Sequence, residues 1–293
     1  MSDWPDYELI DFGAVPGKGG RKLERFGQLV LDRPSPSAAD QRPATPKWTA
    51  GVRYTGDKIG EGKWKPKPTA TLLPDGATIT VPLREDFSFR MRLELSPAGQ
   101  VGLFPEQFAN WQWIAKQCQR ASKRLRVLNL FAYTGGSTLA AAAAGAEVTH
   151  VDASKPSVAL ARQNAELSGL AEAPVRWIVD DALKYCRREV KRGQRYDVVI
   201  LDPPSYGHGP GGEQWRLGRD LPMLLELCGE LTDRSPVFFL ATCHTPGIGG
   251  AELSAYLSDA IVGHCGQPPA DGRLWLKTTA GRRLDSGVYA RWP

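Results

Sequence analysis

Four short segments gather residues that can hold a nucleoside and act on a flat ring: Leu128-Asn129-Leu130-Phe131-Ala132-Tyr133-Thr134-Gly135-Gly136-Ser137, Val151-Asp152, Asp180-Asp181-Ala182 and Asp202-Pro203-Pro204-Ser205-Tyr206. A fifth, Ala241-Thr242-Cys243-His244, adds a thiol and an imidazole. Paired glycines let a backbone turn closely around a ligand. A carboxylate at Asp152 can accept from both hydroxyls of a ribose, and one at Asp181 from an adenine amino group; either alone reads equally well as a helix cap or a solvated turn. Two prolines after Asp202 hold a rigid, extended edge with free carbonyls, and the carboxylate beside them can orient a polar group on a base. The glycine spacing is not GxGxxG, which lowers a nicotinamide or flavin reading, and the absence of GxxxxGK[ST] removes the usual P-loop hydrolase.

Each segment follows an apolar run. Candidate strands at Arg126 to Phe131, Glu147 to Val151, Val175 to Val179, Asp197 to Leu201 and Val237 to Ala241 alternate with helical stretches such as 137–145 and 155–169. This predicts an α/β fold with a mostly parallel sheet, helices on both faces, and 275–279 with 287–292 as a closing antiparallel pair. In such a sheet the ligand crevice lies at the carboxyl ends of the strands, where these motifs fall. The alanines at 140–144 suit a tight helix face against the sheet. Residues 1–100 predict a small, mainly β domain with strands at 28–32, 77–81 and 89–95, and residues 101–293 the α/β domain.

The chain of 293 residues has 42% hydrophobic and 24% charged residues, and no run approaches the roughly 18 apolar residues of a membrane span. The opening 13 residues lack a basic start followed by an apolar core, so a cytoplasmic protein is expected. Five scattered cysteines form no CxxC pair and the four histidines no ligand cluster, so neither disulfides nor a metal site is expected. Cys186 and Cys228 lie in apolar-periodic helical segments and read as core. Net charge is +5, and residues 41–70 alone carry seven Lys/Arg against two Asp/Glu. There Trp48, Tyr54 and Trp64 interleave with Lys47, Arg53, Lys58, Lys63, Lys65 and Lys67. Cations can hold phosphates while aromatics stack on bases; a proline-stiffened loop pinned by its aromatics reads the same way.

Through residues 100–245 the chain resembles the class I S-adenosylmethionine-dependent methyltransferases, specifically the bacterial 23S rRNA large-subunit methyltransferases that include the cytosine-C5 enzymes. The resemblance rests on GLFPEQFANW, LNLFAYTGG, VDASKP, DDA, DPPSY and ATCH, and extends more loosely to the β region before them. It implies a Rossmann-like domain with a seven-stranded sheet, S-adenosyl-L-methionine as cofactor with S-adenosyl-L-homocysteine as product, and ribosomal RNA as partner, with no metal and no membrane. Carried over, Phe131, Tyr133, Gly135 and Gly136 surround the methionine moiety, Asp152 meets the ribose, Asp181 the adenine, and Gln107 helps close the site. Asp202, Pro203 and Pro204 line the target-base pocket beside the cofactor. Relatives often carry a PUA domain ahead of the β region, for which the residues before it leave no room.

In the related enzymes a cysteine in an SCS-like segment is the nucleophile. Cys243 matches it, with His244 where serine is usual. C5 of a pyrimidine takes a methyl group only after a thiolate adds at C6, and a base must then remove the C5 proton. A buried cysteine ending a strand fits Cys243 as well. His244 can assist the thiol or the proton, although adjacent strand residues face opposite ways. Amino-group methylation needs no thiolate, and Asp202 to Tyr206 also resembles the [DN]PP[YF] arrangement of N-methyltransferases, with Tyr206 stacking on the base. The Gly-rich segment after Tyr206, with His208, Trp215, Arg216 and Arg219, reads as a substrate-side flap or a bland mobile loop. The sequence thus points to catalysis by Cys243 and Asp202 on an RNA base, with Pro203, Pro204, Tyr206, Lys63, Lys65 and Arg216 touching substrate. Amino-group methylation, methylation of a small molecule or protein, and a noncatalytic RNA-binding or assembly protein that keeps the cofactor fold stay open.

Overall fold

The computed structural model describes residues 4–56, 60, 62–68, 71–74, 76–84, 87–263 and 267–293. Lys58, His264 and Cys265 lie outside them. Antiparallel pairing builds a hairpin that the sequence reading did not foresee, β1 (Tyr7–Val15) with β2 (Gly19–Phe26), whose side chains are buried in runs rather than in alternation. Its buried positions include the polar Asp11, Arg21, Lys22 and Glu24, so no apolar alternation marks it in the sequence. β3 (Leu29–Pro34), β4 (Val52–Tyr54) and β5 (Trp64–Pro66) complete a five-stranded sheet in sequential order, and β6 (Thr78–Arg84) pairs with β7 (Phe87–Arg92).

Those buried charges are paired, as their desolvation requires. Arg21 Nε donates to Asp32 Oδ1 at 2.6 Å and its Nη2 to the Tyr54 carbonyl at 2.7 Å. Arg33 Nε and Lys22 Nζ both meet Glu24. Burial alone would raise the Glu24 carboxyl; the two cations reverse this and bring it down to about 2.

The remaining elements are α1 (Phe108–Arg120), β8 (Arg126–Leu130), α2 (Gly136–Ala143), β9 (Glu147–Asp152), α3 (Lys155–Leu167), β10 (Val175–Val179), α4 (Ala182–Lys191) and β11 (Val198–Leu201). They continue with β12 (Tyr206–His208), β13 (Gln214–Arg216), α5 (Leu217–Leu231), β14 (Phe238–Cys243), α6 (Gly250–Leu257), β15 (Ala270–Lys277) and β16 (Arg283–Trp292). The order β10-β9-β8-β11-β14-β16-β15 makes a seven-stranded, Rossmann-like sheet, parallel from β10 to β14 with β16 antiparallel to β14. Strand order reverses between β8 and β11, which puts the crevice at the end of β8. Leu139 to Ala142 are buried, and Cys186 and Cys228 lie fully buried with their thiols in contact.

A buried polar chain fixes α2 on the sheet. Asn129 Nδ2 donates to Thr138 Oγ1 at 2.9 Å, and that oxygen lies 2.9 Å from His150 Nδ1. Burial drives the imidazole pKa down to about 3, so it is neutral.

The chain divides into two compact units. One comprises Met1–Phe108 with Trp275–Ser286, the other Ala109–Leu274 with Gly287–Pro293. Within the first, Arg282 Nη1 meets Asp11 Oδ1 at 2.5 Å and its Nη2 the Phe12 carbonyl at 3.1 Å, with the guanidinium 4.2 Å above the Phe12 ring. Among the described residues no helix is long and apolar enough to cross a membrane.

Candidate active site

The loop after β8 is strained where a ligand would approach. Phe131 and Tyr133 take φ of 55° and 49°, and Gly135 takes 94°. Each non-glycine residue in this region costs about 1–2 kcal/mol and persists only when held. The holders are visible. Ala132 N donates to the Val151 carbonyl at 3.1 Å, Tyr133 N to Asp152 Oδ2 at 2.7 Å, and Asn164 Nδ2 of α3 to the Thr134 carbonyl at 3.0 Å. Asp152 Oδ1 accepts from Ser154 N at 2.8 Å. Its carboxyl pKa is raised, because burial outweighs those two backbone donors. A carboxylate offers about four acceptor positions, so two remain beyond these bonds for a ribose diol.

Gly136 is the first residue of α2. Asp181 caps α4, accepting from Lys184 N at 2.9 Å, while Asp180 pairs with Arg188 at 2.7 Å. Gln107 closes a short 3-10 turn, is buried, and belongs to the first unit, as do Lys63 and Lys65.

β11 and β14 are parallel neighbours, with Leu201 opposite Ala241, so Asp202 and Cys243 leave the sheet at one edge. Two polar contacts bind the loops that follow: Ser205 Oγ lies 2.7 Å from Thr245 Oγ1, and Asp202 Oδ1 lies 3.4 Å from His244 Nε2. Cys243 is 1% exposed while the His244 side chain is over a third exposed, so the two face opposite ways. Burial pushes the Cys243 thiol up, opposed by hydrogen bonds from the Thr245 backbone and hydroxyl. A Cβ at Gly287 on β16 would stand 2.7 Å from both the Cys243 carbonyl and His244 Nδ1; the glycine makes this close approach possible.

The segment read as a substrate-side flap or a mobile loop forms the hairpin β12–β13, followed at once by α5, with its tryptophan turned inward. Trp215 is 3% exposed; its Nε1 donates to the Pro204 carbonyl at 2.7 Å and its ring lies 4.8 Å from Phe131. Tyr206 is 50% exposed, its hydroxyl 3.0 Å from His208 Nε2. Arg216 is exposed, and its backbone N–H donates to Asp220. Trp215, Ser205 and Thr245 thus join the site without having been singled out for these roles. No local pattern marks them; only the pairing of β11 with β14 and the hairpin register bring them in.

The aromatics of residues 41–70 are committed inward. Trp48 Nε1 donates to Asp11 at 2.8 Å, Trp64 Nε1 to the Ser96 carbonyl at 2.7 Å and the Tyr54 hydroxyl to the Pro97 carbonyl at 2.9 Å. These bonds pin the segment to its unit; Tyr54 is fully buried, while Trp48 and Trp64 are half-buried.

A strained loop held by an acidic strand end, at the switch point of a parallel sheet, is an arrangement suited to a nucleoside-bearing cofactor. Comparisons agree. Residues 37–253 match the S-adenosylmethionine-dependent methyltransferase family model. A SAM-dependent methyltransferase structure from Agrobacterium tumefaciens is 35% identical, with a TM-score of 0.85 over 100% of this chain and 91% of that one. The ribosomal RNA large subunit methyltransferase I of Salmonella arizonae is 39% identical over 68% of this chain and 50% of its own length; that of Erwinia tasmaniensis is 30% identical over 68% and 51%. The chain spans about half the length of these curated relatives. With the motif loops, the sheet order and these matches in agreement, the chain belongs to the S-adenosylmethionine-dependent methyltransferase family.

Proposed function

We propose that this protein transfers a methyl group to a nucleobase in RNA, and that the target is C5 of a cytosine in ribosomal RNA. The observation that carries the reading is a thiol, an imidazole and a carboxylate (Cys243, His244 and Asp202) at the ends of two adjacent parallel strands, with 3.4 Å between the last two. The printed names of the Salmonella and Erwinia relatives support the substrate class.

Phe131, Tyr133, Gly135 and Gly136 would hold the methionine part of S-adenosylmethionine, Asp152 its ribose and Asp181 its adenine, with Asp202 beside them. Bound there, the cofactor would supply an electrophilic methyl group, whose bond to the sulfonium sulfur breaks to leave S-adenosylhomocysteine. Asp202 and the rigid Pro203-Pro204 edge orient the base, assisted by Tyr206 and Arg216, while Lys63 and Lys65 meet phosphates. The Cys243 thiolate forms a bond to C6 and raises electron density at C5. Once C5 carries the methyl group, a base takes its proton, the electron pair restores the ring double bond and the C6–S bond breaks. The target base must leave a helix or come from an unpaired loop.

Amino-group methylation has one observation in its favour: Cys243 is buried, which raises its thiol pKa, and an amino lone pair needs no thiolate. The test is transfer of labelled methyl into unmodified total RNA, with nucleoside identification by mass, for wild type and Cys243→Ala. Label as 5-methylcytidine that vanishes in the variant supports the proposal. Label in an N-methyl base that survives moves the chemistry to Asp202 and Tyr206, and cofactor binding without label in any RNA overturns the RNA reading.

A further inference from the structure

β5 is the outer strand of the first unit's sheet, and between it, β4 and the β1–β2 turn runs a groove of about 410 Å³. Its lining includes Lys18, Arg53, Lys65 and Lys67 with Trp48 and Tyr54, and no carboxylate among the described residues. Arg53 is held in place, its Nε 2.6 Å from Asp32 Oδ2. Lys18, Lys65 and Lys67 have no carboxylate partner among the described residues. Lys65 lies on β5 and Lys67 follows its last residue, tied by its backbone N–H to the Gly51 carbonyl at 2.8 Å, and both line the groove.

Lysines on an outer strand also serve simply to discourage pairing with another sheet edge. That role needs neither a concavity nor Lys18, which arrives from a different turn. The groove's aromatics supply no free hydrogen-bond donor for reading a base: Tyr54 is fully buried with its hydroxyl on Pro97, and the Trp48 indole N–H is spent on Asp11. What is offered to a ligand is positive charge at fixed spacing over a rigid floor.

We infer that this groove binds the phosphodiester backbone of single-stranded RNA, through Lys18, Lys65 and Lys67 and without reading sequence. The inference rests on the RNA reading above and adds a second contact region that holds the strand by its phosphates. Three phosphate contacts on a single strand contribute a slope of about −2 to the dependence of log affinity on log salt, a fall of about 18-fold between roughly 50 and 200 mM.

The experiment measures binding of a labelled unstructured oligouridine by fluorescence anisotropy across that salt range. It compares wild type, Lys18→Ala/Lys65→Ala/Lys67→Ala, and a control, Lys116→Ala/Arg120→Ala/Lys191→Ala, that removes the same charge from exposed positions on α1 and α4. Thermal melts monitored by circular dichroism verify that all three are folded. The expected result is weaker binding for the groove variant at low salt, with a slope shallower by about 2 and the control close to wild type. Equal affinity and slope for wild type and groove variant, or an equal change in the control, overturns the groove while the RNA reading stands. Absence of oligouridine binding by wild type at every salt overturns both.

Discussion

The indole N–H of Trp215 donates to the carbonyl of Pro204 at 2.7 Å, and through its ring, packed against Phe131, the same side chain joins the loop after β8 to the loop after β11. The two loops assigned to cofactor and to target base therefore share one buried anchor. Trp215→Phe keeps most of the packing and strands a carbonyl, at about 1–3 kcal/mol; Trp215→Ala should cost about 3–5 kcal/mol. Urea unfolding measures both. Calorimetric titration with S-adenosylhomocysteine should show weaker binding in each, more so for alanine, and unchanged binding would disconnect Trp215 from the cofactor loop.

Asp152 spends one lone pair on each of two backbone N–H groups. In Asp152→Asn one of those donors faces an amide NH2, and the charge that favours a diol is gone. Loss of a charged hydrogen bond, about 1.5–3 kcal/mol, predicts roughly 10- to 150-fold weaker S-adenosylhomocysteine binding. An affinity within twofold of wild type would remove Asp152 from the ribose.

How much of this was legible in the sequence depends on range. The parallel strands announced themselves because each is a short apolar run ending in a motif, and α2 and α3 through helical spacing. β1 and β2 hid because their inward faces carry Arg21, Lys22 and Glu24, whose pairing partners Asp32 and Arg33 lie on another strand. Cys243, His244 and Asp202 could be named, but not the 3.4 Å contact between the last two, since 42 residues separate them and only the β11–β14 pairing brings them together. Trp215 was read as part of a flap because nothing nearby shows that Pro204 needs a donor.

Burial raises the Cys243 thiol, so the thiolate is a minor species near neutrality. If Cys243 is the nucleophile, kcat/KM for RNA methylation should rise with pH by about tenfold per unit until the thiol ionises. The rise should be absent from any residual activity of Cys243→Ala. A wild-type profile that is flat above neutrality favours the amino-group route.

Acid should unfold the protein in two stages. The His150 imidazole is at about 3 in the folded chain against 6.5 when free, so the unfolded chain binds the proton first. Its contribution to stability is complete above pH 6.5 and is lost as pH falls toward 3. Glu24, at about 2 against 4.5, contributes fully above pH 4.5 and loses that contribution toward 2. Between pH 6.5 and 4.5 the decline belongs to His150 without Glu24, at up to about 1.4 kcal/mol per pH unit. Urea unfolding at stepped pH should show His150→Gln with a shallower decline in that window; parallel curves would mean that the imidazole is accessible to protons when folded.

The hairpin tip that carries Arg282 back to Asp11 and Phe12 sets a schedule for protein synthesis. Domains generally fold as units, N-terminal first, as the chain leaves the ribosome. Here most of the first unit is made before the second unit's parallel strands, yet it lacks Trp275–Ser286 until those strands have been made. The second unit can assemble its five parallel strands in the interval. A unit begun ahead of the parallel strands is thus completed only after them, and a nascent chain stalled anywhere before Arg282 presents the ribosome with an N-terminal sheet still missing its final cation.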